Sequence, residues 1–103
     1  MKKVPRVSIG MPLYNAEEYL ELALNDLLNQ DFEDFELIVS DNKSLDNTKE
    51  IVLNYQKLDK RIKFYENDEN IGSIKNFDKA FYLSSGKYFM WAAHDDRHDK
   101  TFV

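Results

Sequence analysis

The sequence predicts an α/β protein built on a mostly parallel sheet. Short apolar runs of strand length alternate with segments whose apolar residues recur at helical spacing, in the order β-α-β-α-β-α-β. This alternation favours parallel strands joined by right-handed crossovers, with helices on both faces of the sheet. The chain has 103 residues, 43% of them hydrophobic, which is enough for the core of one small domain. We therefore expect a single three-layer domain over residues 1–103.

The first strand and helix are predicted from an apolar run and an apolar stripe. Residues 7–11 form the run, and we expect Pro12 to end that strand. A helical pattern then starts at Glu17, with Asn15 as the expected N-cap and Glu18 as its capping-box partner. The stripe on this helix consists of Tyr19, Leu20, Ala23, Leu24, Leu27 and Leu28.

The rest of the chain repeats the pattern. Residues 35–40, 61–66 and 88–93 predict three further strands. Asp46 is the expected cap of a second helix carrying Ile51, Val52, Tyr55 and Leu58. Ser73 opens a third helix, with Gly86 as its expected C-cap. The residues expected to face inward from this third helix are Ile74, Phe77, Ala80, Phe81 and Leu83.

Composition excludes several classes of protein. The net charge of −5 argues against a general nucleic-acid binder, which would carry a basic face. The chain has no cysteine, so neither a disulfide framework nor a thiolate metal site is available. No stretch resembles a signal peptide or a membrane span, and we expect a cytoplasmic protein. Gly10 and Gly72 stand alone, which excludes a dinucleotide fingerprint and a P-loop.

Polar residues follow three of the predicted strands, where an open parallel sheet binds its ligands. The groups are residues 12–15, 41–44 and 94–96. In the last group Asp95 and Asp96 are adjacent, and their mutual repulsion is unfavourable unless a cation lies near them. Mg²⁺ or Mn²⁺ would suit two carboxylates and could also hold a diphosphate. The alternative is a solvated loop in which the aspartates make local hydrogen bonds.

Each of the other candidate residues also has two interpretations. Tyr14 could stack on a nucleobase or pack at the sheet edge. Asp41 or Asn42 could hydrogen-bond a base or ribose, or form an Asx-turn. Lys75 could reach a phosphate or remain a solvated helix residue. His94 and His98 flank the acidic pair at a spacing that suits a transition metal, but no third softer ligand is visible.

The ordered set of motifs resembles family-2 glycosyltransferases, which have the Rossmann-like GT-A fold. Residues 7–48 carry the resemblance in VSIGMPLYNAEEYLELALNDLLNQDFEDFELIVSDNKSLDNT. Downstream, residues 70–72 match the family's Asn-x-Gly, and residues 85–96 match its Gly-x-Tyr and D-x-D region. The resemblance covers about residues 6–97 and implies the nucleotide-sugar-binding part of an inverting enzyme, without the acceptor-binding half and its catalytic base.

The resemblance also implies roles for individual residues. Pro12, Tyr14 and Asn15 would contact the nucleoside, with Tyr14 near the base, and Asp41 and Asn42 would read the base. Asp95 would lie near the ribose or donor sugar, and Asp96 would bind Mn²⁺ or Mg²⁺ on the diphosphate. A UDP-sugar is the expected donor, and a saccharide or a lipid-linked molecule is the expected acceptor. The whole protein could then lie at the cytoplasmic face of the membrane.

Three departures from the family pattern leave alternatives open. Asn42 and Ala93 stand where many members have aspartate, and Arg97 could pair with an aspartate in competition with the metal. A non-catalytic nucleotide-binding or assembly module, or a plain α/β interaction domain, would also fit such a chain. An incomplete sheet would leave a strand edge and apolar faces uncovered, and self-association is therefore expected.

Overall fold

The computed structural model describes residues 4–93 and confirms the predicted order of strands and helices. The described strands are all parallel and lie in the order β3-β2-β1-β4. The order reverses between β1 and β4, which creates a switch point where ligands of open α/β sheets bind. The elements are β1 (Val7–Leu13), α1 (Glu17–Leu28), β2 (Phe35–Asp41), α2 (Thr48–Leu58), β3 (Ile62–Glu66), α3 (Ser73–Tyr82) and β4 (Tyr88–Trp91).

The apolar core lies against α1 and α2. Side chains alternate between the two faces of a strand. The odd-numbered residues of β1 and β2, except Asp41 at the end of β2, join the core or pack against it. The predicted stripe on α1 is confirmed for its four central residues, whereas Tyr19 is half-exposed. On α2, Leu58 is exposed although the pattern placed it on the apolar face. The fully buried side chains include Ile9, Met11, Leu13, Leu20, Leu24, Leu27, Leu37, Val39 and Val52.

The opposite face of the sheet, which α3 covers, carries buried polar side chains beside the buried Ile38. Ser8, Glu36 and Ser40 are buried there. The Ser8 hydroxyl and the backbone and hydroxyl of Ser85 all donate to one carboxylate oxygen of Glu36. The buried residues of α3 are Asn76 and Ala80. Buried hydrogen bonds therefore help to hold this layer, because a buried polar group needs a hydrogen-bond partner.

The inward face predicted for α3 is therefore wrong in part. Ile74 is 78% exposed, and Phe77 and Phe81 are about half exposed, at 44% and 50%. The two phenylalanine rings instead contact Trp91 and Phe89 of β4, with centroids 5.0 Å apart in both pairs. The side of α3 that packs on the sheet carries the small residues Asn76 and Ala80. Its aromatic residues therefore lie towards β4, at the edge of the described sheet.

Pro12 does not end β1 as predicted. It pairs with Ser40 of β2 in the parallel register. Even-numbered residues of β1 direct their backbone groups towards β4, as the bond from the Ala92 N–H to the Gly10 carbonyl shows. The β4 pairing runs only from Val7 to Gly10. The strand tolerates proline because the missing N–H falls on the side where no described strand needs it.

Gly86 does not cap α3, which ends at Tyr82. Leu83 is the C-cap, and its N–H donates to the Lys79 carbonyl. Gly86 lies in the turn before β4, and its N–H donates to the Ser8 hydroxyl at 2.7 Å. A Cβ at this position would lie 2.7 Å from Ser8 Oγ and 2.9 Å from the Val7 carbonyl carbon. Glycine is required because the turn packs directly on the β1 backbone.

We predict that Gly86→Ala lowers the free energy of unfolding by about 1–3 kcal/mol, since the added methyl group would displace strand backbone. Urea unfolding at neutral pH measures this. Lys87→Ala, an exposed neighbour in the same turn, should change the value by less than about 0.5 kcal/mol. Equal stability of Gly86→Ala and wild type would show that the turn is not tightly packed.

Candidate functional site

A cleft of about 420 Å³ lies at the carboxyl ends of β1, β2 and β4, beside the start of α3. This is the edge at which open parallel sheets bind ligands. Polar amide groups and two half-exposed aromatic rings, Tyr14 and Phe77, border the same space. The cleft is lined by Pro12, Leu13, Tyr14, Asn42, Asn70, Gly72, Ser73, Asn76, Phe77 and Ala93.

Asn15 connects the loop after β1 to the loop after β2. Its backbone has a positive φ of 50°, a conformation that asparagine tolerates. Its side-chain oxygen accepts from the Leu45 N–H at 2.8 Å, and its own N–H donates to the Ser44 hydroxyl at 2.9 Å. The predicted N-cap role of Asn15 is therefore wrong. The left-handed backbone and these bonds commit the side chain to the neighbouring loop instead.

Residues from the start of α2 cap α1. The Thr48 hydroxyl accepts from the Ala16 N–H at 2.8 Å, and the Asp46 carboxylate accepts from the Glu17 N–H at 3.3 Å. Asp46 also accepts from the Thr48 N–H at 3.0 Å. The N-cap position of α2 is nevertheless occupied by Asn47, so the predicted cap is wrong by one residue, although Asp46 does bond to the first residue of the helix. One carboxylate thus serves the N-termini of both helices behind the cleft.

The pKa of Asp46 lies below its ordinary value. Burial raises this pKa, but hydrogen bonds from the Thr48 hydroxyl and from the backbone N–H groups of Thr48 and Glu17 together outweigh it. These donors favour the ionised carboxylate. The charge of Asp46 therefore contributes to folding wherever the group is ionised.

Asp41 lies at the end of β2 and is completely buried. Its carboxylate accepts from the backbone N–H of Ser44 at 3.2 Å and from the Ser44 hydroxyl. These are local loop contacts three residues along the chain, not the bond two residues on that defines the Asx-turn alternative. Asp41 is not among the residues that line the cleft, and its role in ligand binding stays a prediction.

Asn42 lines the cleft and is only 2% exposed. Its side-chain oxygen accepts from the Ile71 N–H at 2.8 Å and from Asn67 Nδ2 at 3.0 Å. Its Nδ2 donates to Asn70 Oδ1 at 2.8 Å. The side chain therefore joins the end of β2 to the loop that follows β3.

Asn76 of α3 ties together the strand ends beneath the cleft. Its Nδ2 donates to the Ser40 carbonyl at 2.9 Å, and its Oδ1 accepts from the Ser40 hydroxyl and from Asn67 Nδ2. Lys79 Nζ donates to the side-chain oxygen of Asn67. We call the set Asn42, Asn67, Asn70 and Asn76 the asparagine cluster.

The helix N-terminus beside the cleft begins at a turn that requires glycine. Gly72 has a φ of 88°, a conformation that other residues rarely adopt. Its N–H donates to Asn70 Oδ1 at 2.8 Å, and α3 starts at the next residue. The positive end of the helix dipole therefore borders the cleft, where it favours negative charge.

The predicted site residues that the structure describes fall into three groups. Pro12, Tyr14 and Asn42 line the cleft, whereas Asn15, in the loop after β1, and Asp41, the last residue of β2, do not. Lys75 borders a different groove on α3, together with Asp78 and Tyr82. The remaining predicted residues lie outside the described residues: His94, Asp95, Asp96, Arg97 and His98.

Sequence reasoning missed Ser73, Asn76 and Phe77 as cleft residues and read Asn70 only as part of a motif. Asn76 carried one usable signal, since it is a polar residue on a helix otherwise read from its apolar stripe. Within residues 4–93, no charged side chain lines the cleft, and no group of three or more acidic or histidine residues could hold a metal ion.

Comparison with known proteins identifies the family. The model described as Glycosyl transferase family 2 matches residues 8–103, and the chain therefore belongs to that family. It is 38% identical over 94 residues to the GalNAc(5)-diNAcBac-PP-undecaprenol beta-1,3-glucosyltransferase of Campylobacter jejuni. That match covers 90% of this chain and 30% of the Campylobacter protein, so the chain spans under a third of that relative's length.

Solved structures confirm the predicted GT-A type of α/β fold. S. aureus TarS 1-349 in complex with UDP superposes with a TM-score of 0.86 at 31% identity, over 93% of this chain and 29% of that one. The TarS complex with UDP-GlcNAc gives 0.85 at 32% identity, over 92% and 28% of the two chains. None of the helices within residues 4–93 combines the length and apolar character that a membrane crossing needs.

We predict that wild-type protein loses stability relative to Asp46→Asn as the solution is acidified. The folded-state pKa of Asp46 is lowered, so its contribution is present above the unfolded value of about 3.9 and is lost as the pH falls through the folded pKa. Melting temperatures at pH 7 and pH 3 should show a larger advantage of wild type at pH 7. The exposed Asp68→Asn is the control for the change in charge. An equal difference at both pH values would contradict the capping role.

Proposed function

We propose that the chain is the donor-binding part of a glycosyltransferase that uses a nucleoside-diphosphate sugar. The observation that carries this proposal is the convergence of Tyr14, Asn42 and the N-terminus of α3 on one cleft at the strand ends. An exposed ring, hydrogen-bonding amides and a helix dipole suit a base, its polar edge and a phosphate. The complexes of TarS with UDP and UDP-GlcNAc support a UDP-sugar as the donor.

In this proposal, Tyr14 stacks on the base and Pro12 contacts the nucleoside. Asn42 contacts the edge of the base, while Asn15 and Asp41 act by holding the two loops that carry these residues. The diphosphate lies towards Gly72 and Ser73, where the helix N-terminus offsets its charge. Lys75 borders another groove, and a phosphate contact from it would need the side chain to extend around α3.

The metal ligands in this proposal are Asp96 and Asp95, which follow β4 after only a few residues. The described lining of the cleft is neutral, and the side-chain oxygens of Asn42, Asn70 and Asn76 each already accept two hydrogen bonds within the protein. It therefore offers an ion backbone and hydroxyl oxygens rather than carboxylates. This donor set fits a hard divalent ion only together with the two aspartates. Bound Mn²⁺ or Mg²⁺ would neutralise charge on the diphosphate leaving group.

The proposed reaction is a single displacement with inversion at the anomeric carbon. An acceptor hydroxyl oxygen bonds to that carbon as the bond from the carbon to the diphosphate oxygen breaks, and the hydroxyl proton passes to a carboxylate base. No residue within 4–93 is proposed as that base. A saccharide or lipid-linked acceptor is proposed because the Campylobacter relative's name contains an undecaprenol-linked glycan.

Location and assembly follow as lesser parts of the proposal. A cytoplasmic protein that meets a lipid-linked acceptor would work at the membrane face. Self-association would use the outer side of β4, where Tyr88 and Trp91 are about half exposed, at 52% and 42%. Both remain predictions.

Titration of UDP by calorimetry, with and without Mn²⁺, tests the proposed function. Wild type should bind UDP in the presence of Mn²⁺, and Asp96→Ala should lose that metal-dependent binding because a carboxylate ligand is gone. Asp99→Ala, an acidic residue three positions further on, is the matched control and should bind as wild type does. If UDP, GDP and dTDP all fail to bind with metal present, the donor-site proposal is wrong.

A further inference from the structure

The backbone N–H of Ile71 fixes the orientation of the Asn42 side-chain amide. The Ile71 N–H lies 2.8 Å from Asn42 Oδ1. A backbone N–H can only donate, so the atom facing it must be the side-chain oxygen and not the nitrogen. The opposite orientation would place two donors against each other in a residue that is only 2% exposed.

The acceptor capacity of Asn42 is fully used within the protein. An amide oxygen has two lone pairs, and those of Asn42 accept from Ile71 N and Asn67 Nδ2. The Asn67 amide is oriented in turn, because its other end accepts from Lys79, which can only donate. A ligand in the cleft therefore finds no free acceptor on the Asn42 side chain.

The donor side of Asn42 is only half used. One Nδ2 hydrogen goes to Asn70 Oδ1 at 2.8 Å, and Asn70 is oriented by the Gly72 N–H, which donates to the same oxygen at 2.8 Å. An amide nitrogen has two hydrogens, so one remains. The Asn42 side chain can therefore still donate one hydrogen bond, through this second Nδ2 hydrogen.

We propose that Asn42 reads the nucleobase as a hydrogen-bond donor, at a ring carbonyl such as O2 or O4 of uracil, and that Asn70 is the positioning residue that holds it in this role. The inference rests on the proposed function and assigns the polarity of its base contact. A carboxylate at position 42 would present the opposite polarity and would accept from an N–H of the base. A carboxylate there would also face Asn70 Oδ1 with no hydrogen between the two oxygens.

Asn42→Asp tests the proposal, with Asn54→Asp as the control. Both replace an amide by a carboxylate and add one negative charge, but Asn54 is an exposed residue of α2 and does not line the cleft. A carboxylate at position 42 cannot donate, so UDP binding with Mn²⁺ should weaken at least about tenfold in Asn42→Asp and stay within about threefold of wild type in Asn54→Asp.

An Asn42→Asp variant that binds UDP as tightly as wild type, or more tightly, overturns the proposal, since a base N–H would then be the group that is read. Thio analogues of UDP cover the case in which Asn42→Asp does not fold. Sulfur is a poor acceptor, so 2-thio-UDP or 4-thio-UDP should bind wild type about three- to tenfold more weakly than UDP. Equal affinity for all three nucleotides also overturns the proposal.

The same titrations separate this inference from the proposed function. If wild type binds none of these nucleotides, the proposed function fails, and the assignment of the base contact fails with it. If wild type binds UDP in a metal-dependent way but Asn42→Asp binds equally well, the donor site stands and only the polarity of the contact is wrong.

Discussion

The hydrogen bonds of Asn76 hold together the part of the molecule on which the cleft depends. Asn76 lies on α3 and is only 2% exposed. Its side chain donates to the carbonyl of Ser40 on β2 and accepts from the hydroxyl of the same residue. It also accepts from Asn67, which follows β3. An unpaired buried amide would be costly, so helix, strand and loop must meet in one arrangement for all of these groups to be satisfied.

The two faces of the sheet divide structure from function. The α1 and α2 side is apolar and holds the core. The α3 side carries buried polar groups at both ends of the strands, with Glu36 and Ser8 at one end and the asparagine cluster at the other. Hydrogen bonds have restricted distances and angles. These directional bonds position the polar side of the cleft, while Leu13 joins the cleft to the core.

The loops after β1 and β2 depend on each other in the same way. Asn15 bonds to the loop that contains Ser44 and Leu45, and Asp46 and Thr48 cap the helix that follows Asn15. Tyr14 and Asn42 lie at the starts of these two loops. A displacement of one loop would therefore move both candidate nucleoside contacts, which is why polar residues outside the cleft matter to it.

The sequence predicted what local periodicity controls. The order of elements and the stripe on α1 follow from patterns within a few residues, and the structure confirms them. The predictions from sequence were wrong where residues far apart in the chain determine the structure. Asn15 looked like a cap for the adjacent helix, but its hydrogen-bond partners lie about 30 residues away in the chain. Pro12 ends a strand by local rules, yet here its missing N–H costs nothing. The asparagine cluster joins residues up to 34 positions apart, from 42 to 76, and no local pattern marks it.

Mapping of the UDP-binding surface by amide chemical shifts tests the central claim most directly. Titration of ¹⁵N-labelled protein with UDP and Mg²⁺ should shift the signals of Tyr14, Asn42, Ile71, Gly72 and Phe77. The protein carries its own control, since a second cleft lined by Phe35, Glu36 and Arg61 lies at the amino ends of the strands. Shifts confined to the first group are the predicted result. Shifts centred on the second cleft, or none at saturating UDP, would contradict the assignment of the strand-end cleft as the nucleotide site.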